Sequence, residues 1–487
     1  MDFHGHFGAL RWIARRSAPD AGFQRVVKDV TGGSLRLKKP RGLCGLRRRA
    51  ISRHNLESAF RIMSAPSTLH RRHLLAAAFG GALGGARPAS AIEQRPLTVA
   101  AFPLVDVIAK DLLKDWQRTH PDVRAQVISR QYDDHHTAMT TALSTSGHMP
   151  DVIALETSYL GRFSLGSGLE DLSAPAYGAE RFKDRFTAFA IETARNREGH
   201  IVAMPSDIGP GSLFYRVDLL AQAGLKEADL TKSWDDYIEA GVHLKAKAGA
   251  YLIGDVRLLK NMIVRGGTPP GEGQFFDNQG RAQVTSPRFV RAFELAKKVR
   301  QQGLDARVEV WQNDWAEMLK RGRLATEMSG GWMAGQMANW VAPGTAGKWR
   351  VAQLPENTYC SYGGTYYAIP RRSAPERKAL AWQLIQELTL SPQRQFEAFK
   401  SQDAFPALLE AQKGDFFDQP LPFLGGQKAR LLWRDAAQRI PVVKMHRQHK
   451  FADEVIDAEL DNVLEYGKPI GKALEDAQAL LVHRANR

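Results

Sequence analysis

The sequence predicts an α/β fold of parallel strand–helix units, and three observations predict it. Strand and helix patterns alternate over 97–155, the alternation restarts beyond Pro205, and 487 residues leave room for more than one domain. Parallel neighbours need a crossover between them, which the intervening helices supply.

Each element rests on its own pattern. Residues 97–102 (LTVAAF) are a short apolar run, a first strand. Val105, Ile108, Leu112 and Trp116 follow at spacings of three, four and four, one face of a helix. Residues 123–128 alternate as a second strand, 137–143 read as a helix and 151–155 as a third, buried strand. In such sheets ligands gather beyond the C-terminal strand ends, which places Phe102, Pro103 and Glu156 there. In the second half, 212–216 reads as a strand running into a helix over 217–224, and 234–247 as another helix. Residues 276–280 (FDNQG) are a turn, and 286–299 a helix with Ser286 as N-cap and Pro287 at its first position. Short strands are expected at 325–328 and 366–370, a helix marked by Leu380, Leu384 and Leu388, and closing helices at 452–464 and 470–483.

The net charge of +15 suggests nucleic acid or an anionic membrane until the charge is located. Residues 1–62 hold 14 Lys and Arg against 4 Asp and Glu, and 63–91 add Arg71, Arg72 and Arg87. The remaining 92–487 carry only +2, and a near-neutral body has no basic footprint for nucleic acid.

Arg71 and Arg72 open an apolar run at 74–83 that is followed by ASA at 89–91. A positive start, a short apolar run and an A-x-A end make a signal peptide, 63–91, cleaved after Ala91. The run falls short of the ~20 residues of a spanning helix. The arginine pair resembles the twin-arginine export signal, but His70 and Leu74 depart from it, so general secretion stays open. Met63 lies just upstream. Residues 1–62 therefore read either as sequence before the true start or as a disordered basic extension. Cys44 would leave with the leader, and Cys360 would remain without an intramolecular disulfide partner, a small buried hydrophobe.

Three motifs stand in fixed order: MPSDIGPGSLFYR at 204–216, MSGGW at 328–332 and YGGTYYAIP at 362–370. With the leader, WQRTHPDV at 116–123 and MPDVIA at 149–154, they resemble the extracellular solute-binding proteins of bacterial ABC importers. The likeness is to family 1, carbohydrate-binding and maltose-binding-protein-like, and it covers nearly all of 97–485. It implies a two-lobe periplasmic-binding-protein fold of type II, each lobe a mostly parallel sheet flanked by helices, with three hinge crossings. Those are expected near 205–211, 362–366 and 439–446. Residues 92–208 and 365–438 would form one lobe, and 209–364 and 439–487 the other. The resemblance also implies a periplasmic monomer that delivers a carbohydrate to the ABC permease subunits of the inner membrane, with no nucleic acid, cofactor or metal.

The candidate ligand-binding residues are of two kinds, aromatic and polar. Flat sugar faces present C–H groups that pack on aromatic rings. Trp332 matches the ligand-stacking Trp of the family motif, behind Gly330 and Gly331, which let the backbone come close; otherwise it is a core Trp. Asp207 would accept two sugar hydroxyls at once, or cap a turn. Glu156, after a buried strand, has the same two readings. Gly363 and Gly364 would offer N–H groups and Tyr362 a ring and a hydroxyl, or the glycines form a β-bulge at a hinge. Trp311 and Trp315 lie four apart and make a second stacking wall, with core packing the reading for at least one. Trp340 reads either way. In YDDHH at 132–136, Tyr132 reaches the cleft, Asp133 or Asp134 caps the next helix, and the two histidines are solvated, which fits better than a metal site without further ligands.

No GxSxG, HExxH, GxxxxGK[ST] or CxxC occurs, and GKPIGK at 467–472 has Ala473 where a phosphate loop needs Ser or Thr. A glycoside hydrolase would use two of Glu156, Asp207 and Glu327, ~5–5.5 Å apart for retention or ~6.5–9.5 Å for inversion, and no motif fixes such a pair. The expected function is capture of a sugar without reaction. The same fold holding a polyamine, phosphate ester or metal chelate is a further reading, to which many aromatics and few clustered charges are less suited.

Overall fold

The computed structural model describes residues 96–145, 149–164 and 168–485. Residues 1–62, the leader expected at 63–91, and Cys44 lie outside them. Among the described residues one sheet holds β1 (Leu97–Ala101), β2 (Ala125–Ser129), β3 (Val152–Glu156), β4 (Met204–Arg216), β5 (Thr326–Gly330), β6 (Trp349–Ala352) and β7 (Ser361–Ala368). The order is β2-β1-β3-β7-β4-β5, with β6 also paired to β4.

β2, β1 and β3 run parallel, and the helices Val105–Thr119 and Tyr132–Ser144 make the crossovers. β1 is buried along its whole length, as a strand covered on both faces must be. The first crossover helix holds it down with Val105, Ala109, Leu112, Leu113 and Trp116 on its inner face. Every antiparallel ladder involves β4 or β7. In the second half, parallel bridges join Tyr251 to Leu324 and Ile253 to Asp305.

Two apolar cores lie along the sheet. One gathers Val99, Ile153, Leu155, Phe163, Tyr367 and Leu384. The other is built on the helices Val256–Gly266, Pro287–Gln301, His449–Tyr466 and Ile470–Ala485, with Leu259, Met262, Phe293 and Ile456 inside. Each such side chain contributes roughly 1.5–3 kcal/mol by leaving water. β4 serves both cores, through Met204 and Ile208 at one end and Leu213 and Tyr215 at the other. β7 does the same, with Tyr366 in the first core and Tyr362 against the second. Cys360 is a free thiol in the second core, pushed up to about 12 by burial.

Three local expectations change. The strand expected at 212–216 is the far half of β4, which begins at Met204. The helix expected at 137–143 begins at Tyr132 with Gln131 as an N-cap that makes no side-chain bond. Asp133 and Asp134 therefore sit in its first turn, where they favour the positive end of the helix dipole instead of capping it. Ser286 does precede the helix at Pro287, but its hydroxyl makes no cap bond. Among the described residues no helix is long and apolar enough to cross a membrane.

Candidate functional site

A row of three polar side chains crosses the sheet. Glu156 ends β3 opposite Thr365 of β7, and Thr365 lies opposite Asp207 of β4. Directly paired residues point to the same face, so the two carboxylates flank one hydroxyl across two strand spacings, roughly 10 Å. Burial raises the Asp207 carboxyl to about 6; hydrogen bonds from the Thr365 side chain and backbone oppose the rise, and the charge of Glu156 adds to it. Asp207 is thus part of a strand, and the turn-cap reading does not apply.

Glu156 is held in place from several sides. Its Oε2 accepts hydrogen bonds from the Tyr132 hydroxyl at 3.0 Å and the Ser158 backbone N–H at 2.9 Å, and from the Ser158 hydroxyl. Its own N–H donates to Nε2 of His136 at 3.1 Å. That bond makes Nε2 an acceptor, so the ring proton sits on Nδ1 and is donated to the Tyr132 carbonyl, 2.8 Å away. His136 stacks on Tyr159 with ring centroids 4.0 Å apart, and His135 donates from Nε2 to the Ala154 carbonyl at 2.7 Å. Both histidines are buried, which corrects the expectation that they are solvated. The helix starts early enough to turn them against the sheet, and burial lowers both to about 4, leaving them neutral. Tyr132 is 37% exposed above this layer, and Phe102 is buried beneath it, ring centroids 5.5 Å apart. Pro103 is exposed beside them.

Trp332 follows β5 and is half-buried. Its Nε1–H donates to the Tyr362 carbonyl at 3.0 Å. Glycines make room for the indole. A Cβ on Gly330 would stand 2.3 Å from Nε1, and one on Gly209 would stand 1.9 Å from the Tyr362 oxygen. Gly363 and Gly364 have φ of 86° and 127°, the region that glycine alone enters without strain. Opposite them the register slips between Ile208 and Pro210, so a bulge is present beside the indole. The half-buried Tyr362 ring lies nearly parallel to Trp332, with centroids 6.4 Å apart.

Trp315 is 1% exposed and donates from Nε1 to Oε2 of Glu327 at 2.9 Å. It therefore offers no face to a ligand, which corrects its place among the stacking residues. Burial raises Glu327 to about 8, and its Oε1 has no hydrogen-bond partner. Its side chain is fully buried and faces Trp315. Trp311, 48% exposed, leans on Trp315 at 5.4 Å.

A family model described as bacterial extracellular solute-binding protein matches residues 111–421. The chain belongs to that family. Another solute-binding protein, the lactose-binding protein of Rhizobium radiobacter, is 24% identical over 398 residues, 76% of this chain and 89% of its own. Among solved structures, an extracellular solute-binding protein of family 1 superposes with a TM-score of 0.70 at 24% identity, over 80% of this chain and all of that one. The ABC transporter-associated binding protein of B. animalis subsp. lactis Bl-04, in complex with β-1,6-galactobiose, gives 0.66 at 21% identity, over 80% of this chain and 97% of its own. The periplasmic-binding-protein fold is shared throughout.

Within this solute-binding protein, sequence reasoning singled out Glu156, Asp207, Tyr132 and Trp332, read His136 as solvated, and gave Thr365 and Gly209 no role of their own. Thr365 carried a signal, its place inside the YGGTYYAIP motif. His136 carried none, since a helix start five residues early decides which way it faces. Among the described residues no three His, Cys, Asp or Glu side chains converge to hold a metal ion.

Proposed function

We propose that this solute-binding protein captures a carbohydrate between two lobes, 92–208 with 365–438 and 209–364 with 439–487, and hands it unreacted to the permease of an ABC importer. Capture takes place in the periplasm, after a leader ending at Ala91 is removed. The observation that carries the reading is the Glu156–Thr365–Asp207 row beside the half-buried ring of Trp332. Carboxylates accept paired hydroxyls, and the indole covers an apolar sugar face. The ligands named for the relatives, lactose and β-1,6-galactobiose, agree with that chemistry. Tyr132, Tyr362 and the N–H groups of Gly363 and Gly364 complete the contact set in this reading.

β4 and β7, each shared by both cores, serve as hinge strands together with the segment near 439–446. A ligand that touches both lobes selects the closed state by its differential affinity. A thermal-shift screen against sugars tests the capture, since a ligand at ~100 Kd adds ~2.7 kcal/mol. Small-angle scattering on the same protein tests the hinge: saturating sugar lowers the radius of gyration. A shift with no change in radius would remove the hinge and keep the capture. Release of shorter sugars on incubation would replace capture by hydrolysis.

A further inference from the structure

Residues 440–446 form no helix or strand, yet they are fastened on two sides. The Thr193 hydroxyl sits 3.3 Å from the Val443 carbonyl. The Gly271 N–H donates to the Val442 carbonyl and the Lys444 N–H to the Glu272 carbonyl, each at 2.9 Å. A Cβ on Gly273 would stand 2.8 Å from the Lys444 oxygen, so this stretch lies directly against the segment.

The fastened segment borders a cavity of about 30 Å³. Its wall takes Thr157 and Thr193 from one proposed lobe, Arg265, Thr268 and Gln274 from the other, and Val443 from the segment itself. The space holds a monatomic ion or one or two waters, and no sugar. Glu156, Asp207, Thr365 and Trp332 do not line it, so it is separate from the proposed sugar site.

The hydrogen-bonding capacity left unused on this wall is of one kind. The hydroxyls of Thr268 and Thr193 donate to the Val264 and Phe189 carbonyls at 2.9 and 2.7 Å. Gln274 is 2% exposed, and its Nε2 has no hydrogen-bond partner within the protein. The Nε–H of Arg265 is also buried without one. Both orphaned groups are donors, and a buried donor left unpaired is costly. Arg265 lacks a counter-charge as well. Its Nη1 donates to the Ser361 carbonyl at 3.4 Å, and its guanidinium lies over the Tyr362 ring at 5.3 Å. Among the described residues it forms no ion pair, and it is the one charged side chain on the cavity wall. Cys360, on the same wall, is held by burial as a neutral thiol.

We propose that this cavity binds a small monovalent anion of chloride size, held by the Arg265 Nε–H and the Gln274 amide. A water could accept from both donors but would leave the guanidinium charge uncompensated. An anion satisfies the donors and the charge together, through charge-assisted hydrogen bonds. Once bound it ties 440–446 to groups from both lobes, a consequence that rests on the two-lobe reading above.

Thermal unfolding of the mature protein without sugar, in sodium chloride against sodium methanesulfonate at equal ionic strength, tests the site. The methanesulfonate anion is too large for the cavity. The melting temperature is expected to be about 3 °C higher when chloride reaches ~100 Kd, and bromide should act as chloride does. Arg265→Gln should abolish the difference. Gln274→Glu sets a tethered carboxylate beside the guanidinium, so it should melt no lower than wild type in chloride and ignore the choice of anion. Crystals soaked in bromide should show an anomalous peak within hydrogen-bond distance of Arg265 Nε. Equal melting of the wild type in the two salts overturns the site, as does an undiminished chloride effect in a folded Arg265→Gln protein. A bromide map with only water at that position overturns it too. No sugar is present in these measurements, so their failure leaves carbohydrate capture standing, and failure of every sugar to bind leaves the anion site standing.

Discussion

The indole N–H of Trp332 donates to the carbonyl oxygen of Tyr362 across 3.0 Å, joining the second residue after β5 to β7 at its bulge. The bond orients the ring while leaving part of its surface open. It also turns a motif residue into a positioned one, because a Cβ at 330 would stand 2.3 Å from the indole nitrogen and one at 209 would stand 1.9 Å from the Tyr362 oxygen.

Truncating the ring should therefore be felt in binding. Trp332→Ala is expected to weaken sugar affinity by roughly 1–3 kcal/mol, the range for a large buried side chain. Gly330→Ala should weaken it as well, since a Cβ 2.3 Å from the indole nitrogen must displace the ring. Titration calorimetry on both proteins measures the two effects. A folded Trp332→Ala protein with wild-type affinity would return Trp332 to the core.

Affinity should depend on pH through Asp207. Its carboxyl is raised to about 6, so it is ionised at pH 7.5 and protonated at pH 5. Sugar hydroxyls donate better to the charged form, so affinity should fall as pH drops through 6, by up to about tenfold. In Asp207→Asn the break should vanish. A break that survives the substitution would assign the titration to another group.

Stability in acid should carry a His136 component. The folded group titrates at about 4 against 6.5 when free. Its contribution is therefore complete above pH 6.5 and lost as pH falls through 4, by roughly 2–3 kcal/mol. Protonation would set an N–H against the Glu156 N–H. Asp207 and Asp403, both raised to about 6, work in the opposite direction over part of that range. The useful quantity is the difference in urea stability between wild type and His136→Gln, which should shrink from pH 7 to pH 4. A constant difference would contradict the assignment.

Glu327 carries the reverse sign. Raised to about 8, it is more readily protonated folded than unfolded, so it costs stability progressively as pH rises above its free value of 4.5. Glu327→Gln keeps an acceptor for Trp315 and does not ionise. Its stability relative to wild type should climb above pH 4.5, by at most about 1.4 kcal/mol per pH unit, and level off above about 8. Thermal unfolding across that range gives the curve. A flat relative stability would mean that the carboxyl is not held neutral.

Much of the fold was legible because its signals are local. The β1–β3 unit follows from alternation and helical spacing over some sixty residues, and the ends of most helices fell close to their expected places. The four-residue strand β6 is too short to show a period, and it was missed. At the site, motif residues were found singly but their grouping was not. The Glu156–Thr365–Asp207 row depends on pairing between residues that stand 209 and 158 positions apart, which no window of sequence reports. Trp311 and Trp315 share a four-residue spacing yet face opposite ways, because the helix begins only at Asn313 and Trp311 precedes it at positive φ.

Trp340, 55% exposed against Trp311, belongs to neither apolar core, while Trp315, two rings inward, is sealed in one. Selection can therefore act on the outermost ring at little risk to folding, because its substitution opens no cavity in either core. The same asymmetry gives an engineer a surface position that can be varied separately from the foundation holding it.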